Sequence, residues 1–342
     1  MSAGVSAADT GWRDPAWIAA TTDWLDARLG DLGRRRTGPL EQPRVRPWGS
    51  VLHAPTDAGV VWLKAPAPVL RFELPLLEAL GRSGLPGVPH VLAADPSRGL
   101  LLLADAGTPF PVRWPDPASR AAPFAATWPL VGRLQRAAVP LVPELLAAGV
   151  ADLRPAALPQ RLDEVLARAR AAHGHLPGDA ALLDRVAAAR PRFAAACGAL
   201  ARSAVPPTVD HDDLHDGNLL VDAAGAVTVV DWGDAVVSHP FATLLVAERV
   251  LASLLGDVPV GHPTVRAARA AYLAGFADLA PGEDLDATAG LAIGVAEVAR
   301  AWVWQRALGT LAPGEVDPDL PAGFERGALR HLARAADALA GS

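Results

Sequence analysis

The spacing of hydrophobic and polar positions divides the chain into an alternating first third and a helical remainder. Alternating apolar and polar positions indicate strands, whereas apolar positions three and four residues apart indicate helices. The predicted elements of the first third are, in order, a helix over residues 14–29 with Pro15 in its first turn, strands over residues 43–53 and 60–65, a helix through residues 76–80, and strands over residues 88–93 and 100–103. This order predicts a small antiparallel sheet accompanied by helices.

Beyond residue 117 the pattern is helical, and one short pair of strands interrupts it. The proline-rich segment over residues 107–117 marks the passage between the two parts. Predicted strands over residues 219–221 and 227–230 flank the turn sequence Asp-Ala-Ala-Gly, which favours a hairpin. Later apolar spacings predict helices over residues 241–255, 264–279 and 291–308. With 342 residues, 51% of them hydrophobic, the chain is long enough for an α+β fold of two lobes or for two domains.

Residues 211–234 concentrate the side chains that phosphoryl transfer requires. The spacing H-x-D-x-x-x-x-N places His211 and Asp213 at the start of a loop and Asn218 at its end. Phosphoryl transfer needs a carboxylate that orients the attacking hydroxyl and oxygen ligands that hold magnesium against the phosphates. The predicted hairpin would return Asp231 to the neighbourhood of Asn218, so that two oxygen ligands could converge on one magnesium ion. The segment therefore favours a phosphoryl-transfer site in which Asp213 faces the acceptor.

The chain contains a single lysine, Lys64, although lysine and arginine together number 31. This lysine ends an apolar run, VVWLK, that is typical of a strand. Because an ammonium group is a compact point charge and a guanidinium group is a planar fork, the two are not interchangeable beside a triphosphate. Chance retention explains one lysine equally well when it is considered alone. Its position ahead of an acidic helix and of the H-x-D-x-x-x-x-N motif follows the order of the kinase signature motifs.

These segments resemble the aminoglycoside phosphotransferase and choline kinase-like family, whose members are small-molecule kinases with a protein-kinase-like fold. The resemblance rests on VWLKAPAPVLRFELPLLEAL at residues 61–80, HDDLHDGN at residues 211–218 and DWGDA at residues 231–235. It implies a two-lobed α+β fold. A nucleotide-binding lobe with a small antiparallel sheet would cover residues 1–105, and a mainly helical lobe would cover residues 106–342.

The same resemblance implies roles for individual residues. Asp213 would be the catalytic carboxylate. Asn218 and Asp231 would hold Mg²⁺, the latter within a metal-binding segment over residues 231–234. Lys64 would bind the α- and β-phosphates of ATP, so the implied cofactors are ATP and Mg²⁺.

A glutamate on the predicted acidic helix would pair with Lys64. Glu73 is the first choice, but Pro75 follows it by two residues and would disturb a helix that began much earlier. Glu78 therefore stays open as the alternative partner.

Two further segments that would contact the nucleotide are predicted from their place in the resemblance. Protein kinases cover the phosphates with a glycine-rich hairpin, and here only Gly49 and Ser50 stand near the expected bend, which makes Ser50 the candidate contact. The segment over residues 103–106 would be the hinge between the lobes. Its backbone would bind adenine, with Leu103 and Asp105 as the candidate residues.

The resemblance also implies that the last third of the chain contributes the acceptor pocket. The candidate substrate residues are Asp216, Asp234, Glu297 and Trp302. An acid could meet an ammonium group, and an aromatic face could stack on a sugar or a cation, although core packing accounts for the tryptophans equally well. Trp302 and Trp304 are about 200° apart on an ideal helix, so only one of them can face a given pocket.

Net charge and apolar runs limit the expected partners. A net charge of −6 argues against general nucleic-acid binding, which relies on basic side chains, and suits a cationic small acceptor. No apolar run reaches the roughly 18 residues of a spanning helix. The first residues lack the basic and apolar regions of a secretory signal. A cytoplasmic protein without a membrane partner is expected, and the sequence predicts no particular oligomeric state.

These patterns predict an ATP-dependent kinase that phosphorylates a hydroxyl of a small molecule, first of all an aminoglycoside or another antibiotic. A metabolite kinase acting on an amino sugar, a choline-like alcohol or homoserine is the nearest alternative. A metallohydrolase is a second alternative, because His211, Asp213 and His215 alternate and would share one side of an extended segment. A nucleotide-binding pseudokinase, with the fold but without turnover, is a third.

Overall fold

The computed structural model describes residues 11–310, 320 and 323–340. Its first lobe, the N-lobe, contains helices α1 (Pro15–Asp31) and α2 (Glu73–Gly81) and strands β1 (Glu41–Arg46), β2 (Gly49–Thr56), β3 (Gly59–Pro66), β4 (Val91–Asp95) and β5 (Leu100–Ala104). The strands form one antiparallel sheet in the order β1-β2-β3-β5-β4. The small antiparallel sheet and the two helices predicted for this part of the chain are confirmed.

Each strand of this sheet presents alternate side chains to two environments. One face packs on α1 and contains the buried residues Leu52 and Leu63. The opposite face carries Lys64, which lies in register with Val51 on β2 and Leu101 on β5. The alternation therefore directs Lys64 away from the N-lobe core and towards the second lobe.

The predicted strand over residues 43–53 is in fact two strands. The chain turns at residues 47–48, so that Arg46 on β1 pairs with Gly49 on β2. Pro47 has a fixed φ and lacks the N–H group that a ladder needs, which favours a turn over a position inside a strand. The hairpin therefore bends just before Gly49.

Helix α2 begins at Glu73, and Pro75 lies in its first turn. A proline is tolerated there because the first N–H groups of a helix have no intrahelical partner. The conflict between Pro75 and a helical Glu73 disappears, since the helix does not begin earlier. Glu73 is buried, whereas Glu78 is exposed.

The second lobe, the C-lobe, is mainly helical. Its helices are α3 (Phe110–Arg113), α4 (Pro117–Ala138), α5 (Val142–Ala147), α6 (Leu158–His173), α7 (Pro177–Leu200), α8 (Leu244–Leu254), α9 (Pro263–Leu273), α10 (Leu285–Leu308) and α11 (Gly327–Ala340). Its short strands are β6 (Thr108–Pro109), β7 (Ala151–Asp152), β8 (Thr208–Asp210), β9 (Leu219–Val221), β10 (Val227–Val229) and β11 (Val236–Ser238). Within the described ranges, no helix has the length and apolar composition needed to cross a membrane.

The chain passes into the C-lobe between β5 and β6. Strand β6 pairs with β9, and β9 pairs with β10, so all three belong to one C-lobe sheet. This crossing supports a division near residue 105, which stays a prediction.

The predicted hairpin after the H-x-D-x-x-x-x-N motif is confirmed as β9–β10. Val221 lies opposite Val227, and Gly225 in the turn has a φ of +85°, a conformation that glycine adopts without strain. The carboxylate of Asp222 accepts hydrogen bonds from the backbone N–H groups of Ala224 and Ala226 across the turn. The hairpin is therefore stabilised by its own turn residues.

Candidate active site

A cavity of about 390 Å³, the cleft, lies between the lobes and collects the predicted chemical side chains. Its lining includes the charged and polar residues Arg44, Lys64, Glu73, Asp213, His215, Asn218, Asp231, Asp234 and Arg300, and the aromatic residues Trp48, Trp304 and Phe324. A larger cavity of about 510 Å³ beside Trp12 and Trp17 contains none of these side chains. The cleft is therefore the candidate active site.

Lys64 connects the two lobes through an ion-pair network. Its Nζ lies 2.6 Å from Glu73 Oε1 on α2 and 2.6 Å from Asp231 Oδ1 after the β9–β10 hairpin. Burial acts to lower the pKa of Lys64, but the charges of Asp231 and Glu73 outweigh it and raise that pKa above its ordinary value. Lys64 stays protonated, and the structure pairs it with Glu73 and not with Glu78.

Asp231 and Glu73, the two carboxylates that bind Lys64, have pKa values shifted in opposite directions. Lys64, and to a smaller degree Arg44, lower the pKa of Asp231 far below its ordinary value, against the effect of burial. Burial raises the pKa of Glu73, which is enclosed by α2 and the sheet. Asp231 therefore carries a full negative charge at the edge of the cleft.

A left-handed residue shapes the loop over residues 211–218, the predicted catalytic loop. Asp212 has a φ of +63°, which breaks the extended course of the chain between His211 and Asp213. The His211 ring turns into the core, where Nε2 donates to the carbonyl oxygen of Val230 at 2.9 Å and the ring packs edge-on against Trp232. Asp213 instead faces the cleft.

This loop geometry argues against the metallohydrolase alternative. His211 is buried and points away from the cleft, so it does not share one side with Asp213 and His215. The Nδ1 atom of His215 accepts a hydrogen bond from the Gly217 backbone, and its Nε2 atom lies 3.6 Å from Asp213 Oδ2. His211 therefore attaches the loop to the core through Val230, whereas His215 bonds within the loop to Gly217.

Arg300 on α10 joins three aspartates at the cleft, a role that was not predicted from the sequence. Its Nη2 lies 2.5 Å from Asp213 Oδ1, and its Nη1 lies 2.8 Å from Asp234 Oδ2 and 3.0 Å from Asp212 Oδ2. Burial acts to lower the pKa of Arg300, but the carboxylates outweigh it, and its pKa lies above the ordinary value. The one available signal was an arginine in the apolar sequence VARAWVW.

A further buried aspartate, Asp210, lies behind the loop. Asp210 is 1% exposed and accepts a hydrogen bond from the backbone N–H of Asp212 at 3.2 Å. Burial raises the pKa of Asp210 to about 7 and also raises the pKa of Asp212. The loop therefore rests on two buried aspartates whose carboxyl pKa values are raised by burial.

We expect Asp210 to make folding stability depend on pH. Its pKa is raised in the folded state, so its stabilising contribution is complete below the unfolded-state value and is lost as pH rises through about 7. Asp210→Asn should keep the hydrogen bond to the loop without the titration. From about pH 5.5 to about pH 8.5, wild type should therefore lose about 1–3 kcal/mol of unfolding free energy relative to this variant. Urea unfolding at both pH values measures the change, and an equal pH dependence in both proteins would contradict it.

Asn218 and Asp231 present a donor set that fits magnesium. The backbone N–H of Val230 donates to the carbonyl oxygen of Asn218 at 2.9 Å, which holds the two ends of the hairpin together. The side-chain Nδ2 of Asn218 donates to the backbone oxygen of Asp213, so its Oδ1 is available as a ligand. Asp231 uses Oδ1 for Lys64 and retains Oδ2. Both ligands are hard oxygen atoms that line one cavity, as magnesium prefers.

The prediction for the Ser50 side chain is wrong. Ser50 is fully buried, and its hydroxyl is hydrogen-bonded to Gln42 and to the backbone oxygen of Arg44. It lies in register with Ala65 on the core face of the sheet, because neighbouring side chains on a strand point to opposite faces. Arg44 occupies the cleft-facing position, in the same cross-strand row as Lys64.

Two of the candidate substrate residues on α10 do not line the cleft. Glu297 is 3% exposed and is bonded to Arg249 and, at 2.7 Å, to His331 Nδ1. The indole N–H of Trp302 donates to Glu164 of α6. Trp304 is the tryptophan of this helix that reaches the cleft, as the angular separation of the two positions allows. Glu297 and Trp302 therefore support the helix packing behind the site.

The remaining predicted residues divide between the cleft and its surroundings. Asp234 lines the cleft, whereas Asp216 has its carboxylate 2.7 Å from Arg120 Nε on α4. In the predicted hinge, Asp105 accepts hydrogen bonds from the indole N–H of Trp62 and from the backbone of Gly107. Leu103 lies opposite Trp62 in the sheet register. Asp105 thus fixes the turn that leads out of β5.

Comparisons with known proteins identify the family and the fold of the chain. The sequence profile described as "Phosphotransferase enzyme family" matches residues 58–291, which is more than half of the chain. No match is found among curated proteins. One similar solved structure is macrolide 2'-phosphotransferase MphH from Brachybacterium faecium, with a TM-score of 0.56 and 19% identity over 91% of this chain and 97% of that chain. A second is choline kinase LicA from Streptococcus pneumoniae, with a TM-score of 0.58 and 14% identity over 94% of this chain and 100% of that chain. A third is the GDP complex of aminoglycoside 2'-phosphotransferase-IIIa, with a TM-score of 0.55 and 15% identity over 94% of this chain and 98% of that chain.

At these identities the structural likeness establishes the fold. The predicted two-lobed, protein-kinase-like α+β fold is confirmed. The profile match covers β3 with Lys64, the catalytic loop and the β9–β10 hairpin. The chain therefore belongs to the phosphotransferase enzyme family of small-molecule kinases that the sequence analysis identified.

Proposed function

We propose that this protein is an ATP-dependent kinase that transfers the γ-phosphoryl group to a hydroxyl of a small molecule. The observation that carries the proposal is the convergence of Lys64, Asp213, Asn218 and Asp231 on one cleft. A cation for the phosphates, two oxygen ligands for magnesium and a carboxylate for the acceptor are the parts that phosphoryl transfer requires. The family places the chain among small-molecule phosphotransferases, which supports the reaction class.

Asp213 is the proposed catalytic residue. Arg300 holds its Oδ1, which leaves Oδ2 to accept a hydrogen bond from the acceptor hydroxyl. In the reaction, the acceptor oxygen forms a bond to the γ-phosphorus while the bond from that phosphorus to the β-phosphate oxygen breaks. The hydroxyl proton passes to Asp213, and ADP leaves. Because Arg300 is buried on α10, it keeps Asp213 in one orientation before the acceptor arrives.

Lys64 and Arg44 are the proposed nucleotide cations. Glu73 and Asp231 orient the Lys64 ammonium, which has a third N–H group for a phosphate oxygen. Magnesium, when bound by Asn218 and Asp231, would neutralise charge on the phosphates. The backbone after β5, near Leu103, is the proposed adenine site. Solved structures of LicA with AMP and of aminoglycoside 2'-phosphotransferase-IIIa with GDP support nucleotide binding in this fold.

Acceptor-dependent ADP release tests the proposal. The assay would use magnesium and ATP with a panel of macrolides, aminoglycosides, amino sugars, aminoalcohols and homoserine. The proposed location of the protein is the cytoplasm. Turnover that disappears in Asp213→Asn would establish the kinase. Retained ATP binding without turnover of any acceptor would favour a pseudokinase, and the absence of ATP binding would contradict both.

We expect Arg44→Ala to weaken ATP binding. Arg44, Val51 and Lys64 form one cross-strand row, so Arg44 and Lys64 point to the same side of the sheet, about 10 Å apart at two strand spacings. Loss of one charge-assisted contact to phosphate should raise the KM for ATP by about tenfold. The acceptor KM should change little. Steady-state kinetics measure both constants.

A matched control is Arg35→Ala. Arg35 is an exposed N-lobe arginine that pairs with Asp57 outside the cleft. An equal rise of the KM for ATP in both variants would show a general charge effect and would remove Arg44 from the nucleotide site.

A further inference from the structure

The cavity of about 510 Å³ beside Trp12 and Trp17, the N-lobe cavity, takes no part in the proposed reaction. Its described lining comes from Trp12 and helix α1, from the segment between β3 and α2, and from the β4–β5 turn. Small-molecule sites typically have volumes of about 300–1,000 Å³. The N-lobe cavity is therefore large enough to hold an organic ligand of its own.

The charged side chains of the N-lobe cavity favour an anion. Its described lining contains two arginines, Arg71 and Arg98, and no carboxylate. Arg98 lies 3.6 Å from a carboxylate oxygen of Asp95, whereas Arg71 has no ion pair with any described residue. One of the two positive charges is therefore left without a counter-charge.

The Arg71 side chain is held in place over the β4–β5 turn. Its Nε atom is enclosed and has no hydrogen-bond acceptor among the residues that the structure describes. A Cβ atom at position 99 would lie 2.5 Å from this Nε, so the absence of a side chain at Gly99 leaves room for the guanidinium group. An enclosed donor without an acceptor is unfavourable, and a ligand oxyanion that reached the guanidinium group would supply the acceptor.

Trp12 and Trp17 give the N-lobe cavity an aromatic side. Trp17 and Thr21 are one turn apart on α1 and both line the cavity. Trp12 is 5% exposed, and its carbonyl oxygen accepts a hydrogen bond from Gln42 at 2.9 Å. Indole rings stack on flat apolar groups, and guanidinium groups bind oxyanions through paired N–H groups. Together these side chains fit an anion with an aromatic body.

One segment of the chain separates the N-lobe cavity from the cleft. Pro66 lines both cavities, Leu70 lines the cleft and Arg71 lines the N-lobe cavity. The same segment joins Lys64 on β3 to Glu73 at the start of α2, whose side chains form the 2.6 Å ion pair of the cleft. A ligand that fixed this segment against α1 would therefore restrict the movement of both partners of that ion pair.

We infer that the N-lobe cavity is a second ligand site, for a small organic anion with an aromatic body, and that its occupation favours ATP binding in the cleft. The anionic head, a carboxylate or a phosphate, binds Arg71 and Arg98, and the aromatic body lies against Trp17. The effect on ATP rests on the proposed function, because it acts through Lys64 and Glu73, whereas the site itself does not. By thermodynamic linkage, bound ATP must tighten anion binding by the same factor.

Calorimetry of the full-length protein with three matched probes tests the site. The probes are 2-naphthoate, 2-naphthyl phosphate and the neutral 2-naphthamide. At least one of the two anions should bind about tenfold more tightly than the amide, because charge-assisted hydrogen bonds to arginine require the anionic head. The tighter of the two anions identifies the head group. Absence of binding, or equal affinity for all three probes, would overturn the inference.

Variants locate the bound anion. Arg71→Gln should weaken its binding about tenfold, and Trp17→Ala should weaken it about fivefold. Arg98→Gln changes an exposed residue and should weaken binding about threefold, which gives a second test if Arg71→Gln does not fold. Arg35→Gln, an exposed N-lobe arginine outside both cavities, is the matched control and should bind as wild type does. Unchanged affinity in both cavity arginine variants would show that the anion binds elsewhere and would overturn the site.

The link to the cleft is measured by repeating the anion titration with saturating ATP and magnesium, without an acceptor. The dissociation constant of the anion should fall about fivefold, at the lower end of typical coupling between two sites. An unchanged or higher constant would overturn the effect on ATP. A separate titration measures ATP binding alone. Absence of ATP binding there would contradict the kinase proposal and the link to the cleft, whereas the probe and variant measurements would still decide the anion site.

Discussion

Asp213→Asn is expected to reduce kcat for acceptor phosphorylation by about 10²–10⁴-fold, the usual contribution of a positioned general base. The amide has nearly the shape of the carboxylate and can still accept a hydrogen bond from Arg300, but it cannot take the hydroxyl proton. The KM for ATP should change little, because the proposed phosphate contacts are Lys64 and Arg44 and not Asp213. Acceptor-dependent ADP release at varied ATP and acceptor concentrations measures these constants.

A matched control for this variant is Asp184→Asn. Asp184 is an exposed aspartate of α7 that pairs with Arg170 far along the chain from the catalytic loop. Wild-type kcat in Asp213→Asn would exclude Asp213 as the base. A parallel loss of ATP affinity and thermal stability would instead show that the substitution had disturbed the fold.

The elements of the fold were predictable because their signals are local. The alternation of apolar and polar residues around Lys64 predicts a strand, and the turn sequence Asp-Ala-Ala-Gly predicts a hairpin. Both patterns span only a few residues. Asn218 and Asp231 flank this one hairpin, and Asp213 lies five positions before Asn218. The convergence of these residues on the cleft follows from the confirmed β9–β10 pairing.

The predictions of which side chains face the cleft failed where a shift of one strand position or the rotation of a helix decides the direction of the side chain. Ser50 is adjacent to Val51, which lies in the same row as Lys64, yet the shift of one position along the strand turns the Ser50 side chain into the core. On α10, Glu297 and Trp302 miss the cleft, whereas Arg300 and Trp304 reach it. The helical period alone cannot tell which face of α10 meets the cleft, because tertiary packing sets the rotation of the helix.

The arginine partner of Asp212 and Asp213 could not be predicted for a related reason. Arg300 lies 87 positions after Asp213, and many arginines of this chain could have served. Asp212 adopts a left-handed backbone conformation in the fold. The sequence did not show that its carboxylate would bind Arg300. Long-range ion pairs depend on the final packing of helices, which no local pattern encodes.

Lys64 also depends on long-range packing, since its two partners, Glu73 and Asp231, come from different lobes. Lys64→Met should therefore reduce kcat/KM for ATP by about 10²–10³-fold, comparable to the loss of one preorganised electrostatic contact. The substitution leaves Glu73 buried without its cation, so stability should also fall. Lys64→Arg is the informative control: it restores the charge, but a planar guanidinium cannot reproduce the ammonium geometry, so activity should stay low while stability recovers. Kinetics with varied ATP and thermal unfolding separate the two effects, and wild-type kcat/KM in Lys64→Met would remove Lys64 from the nucleotide site.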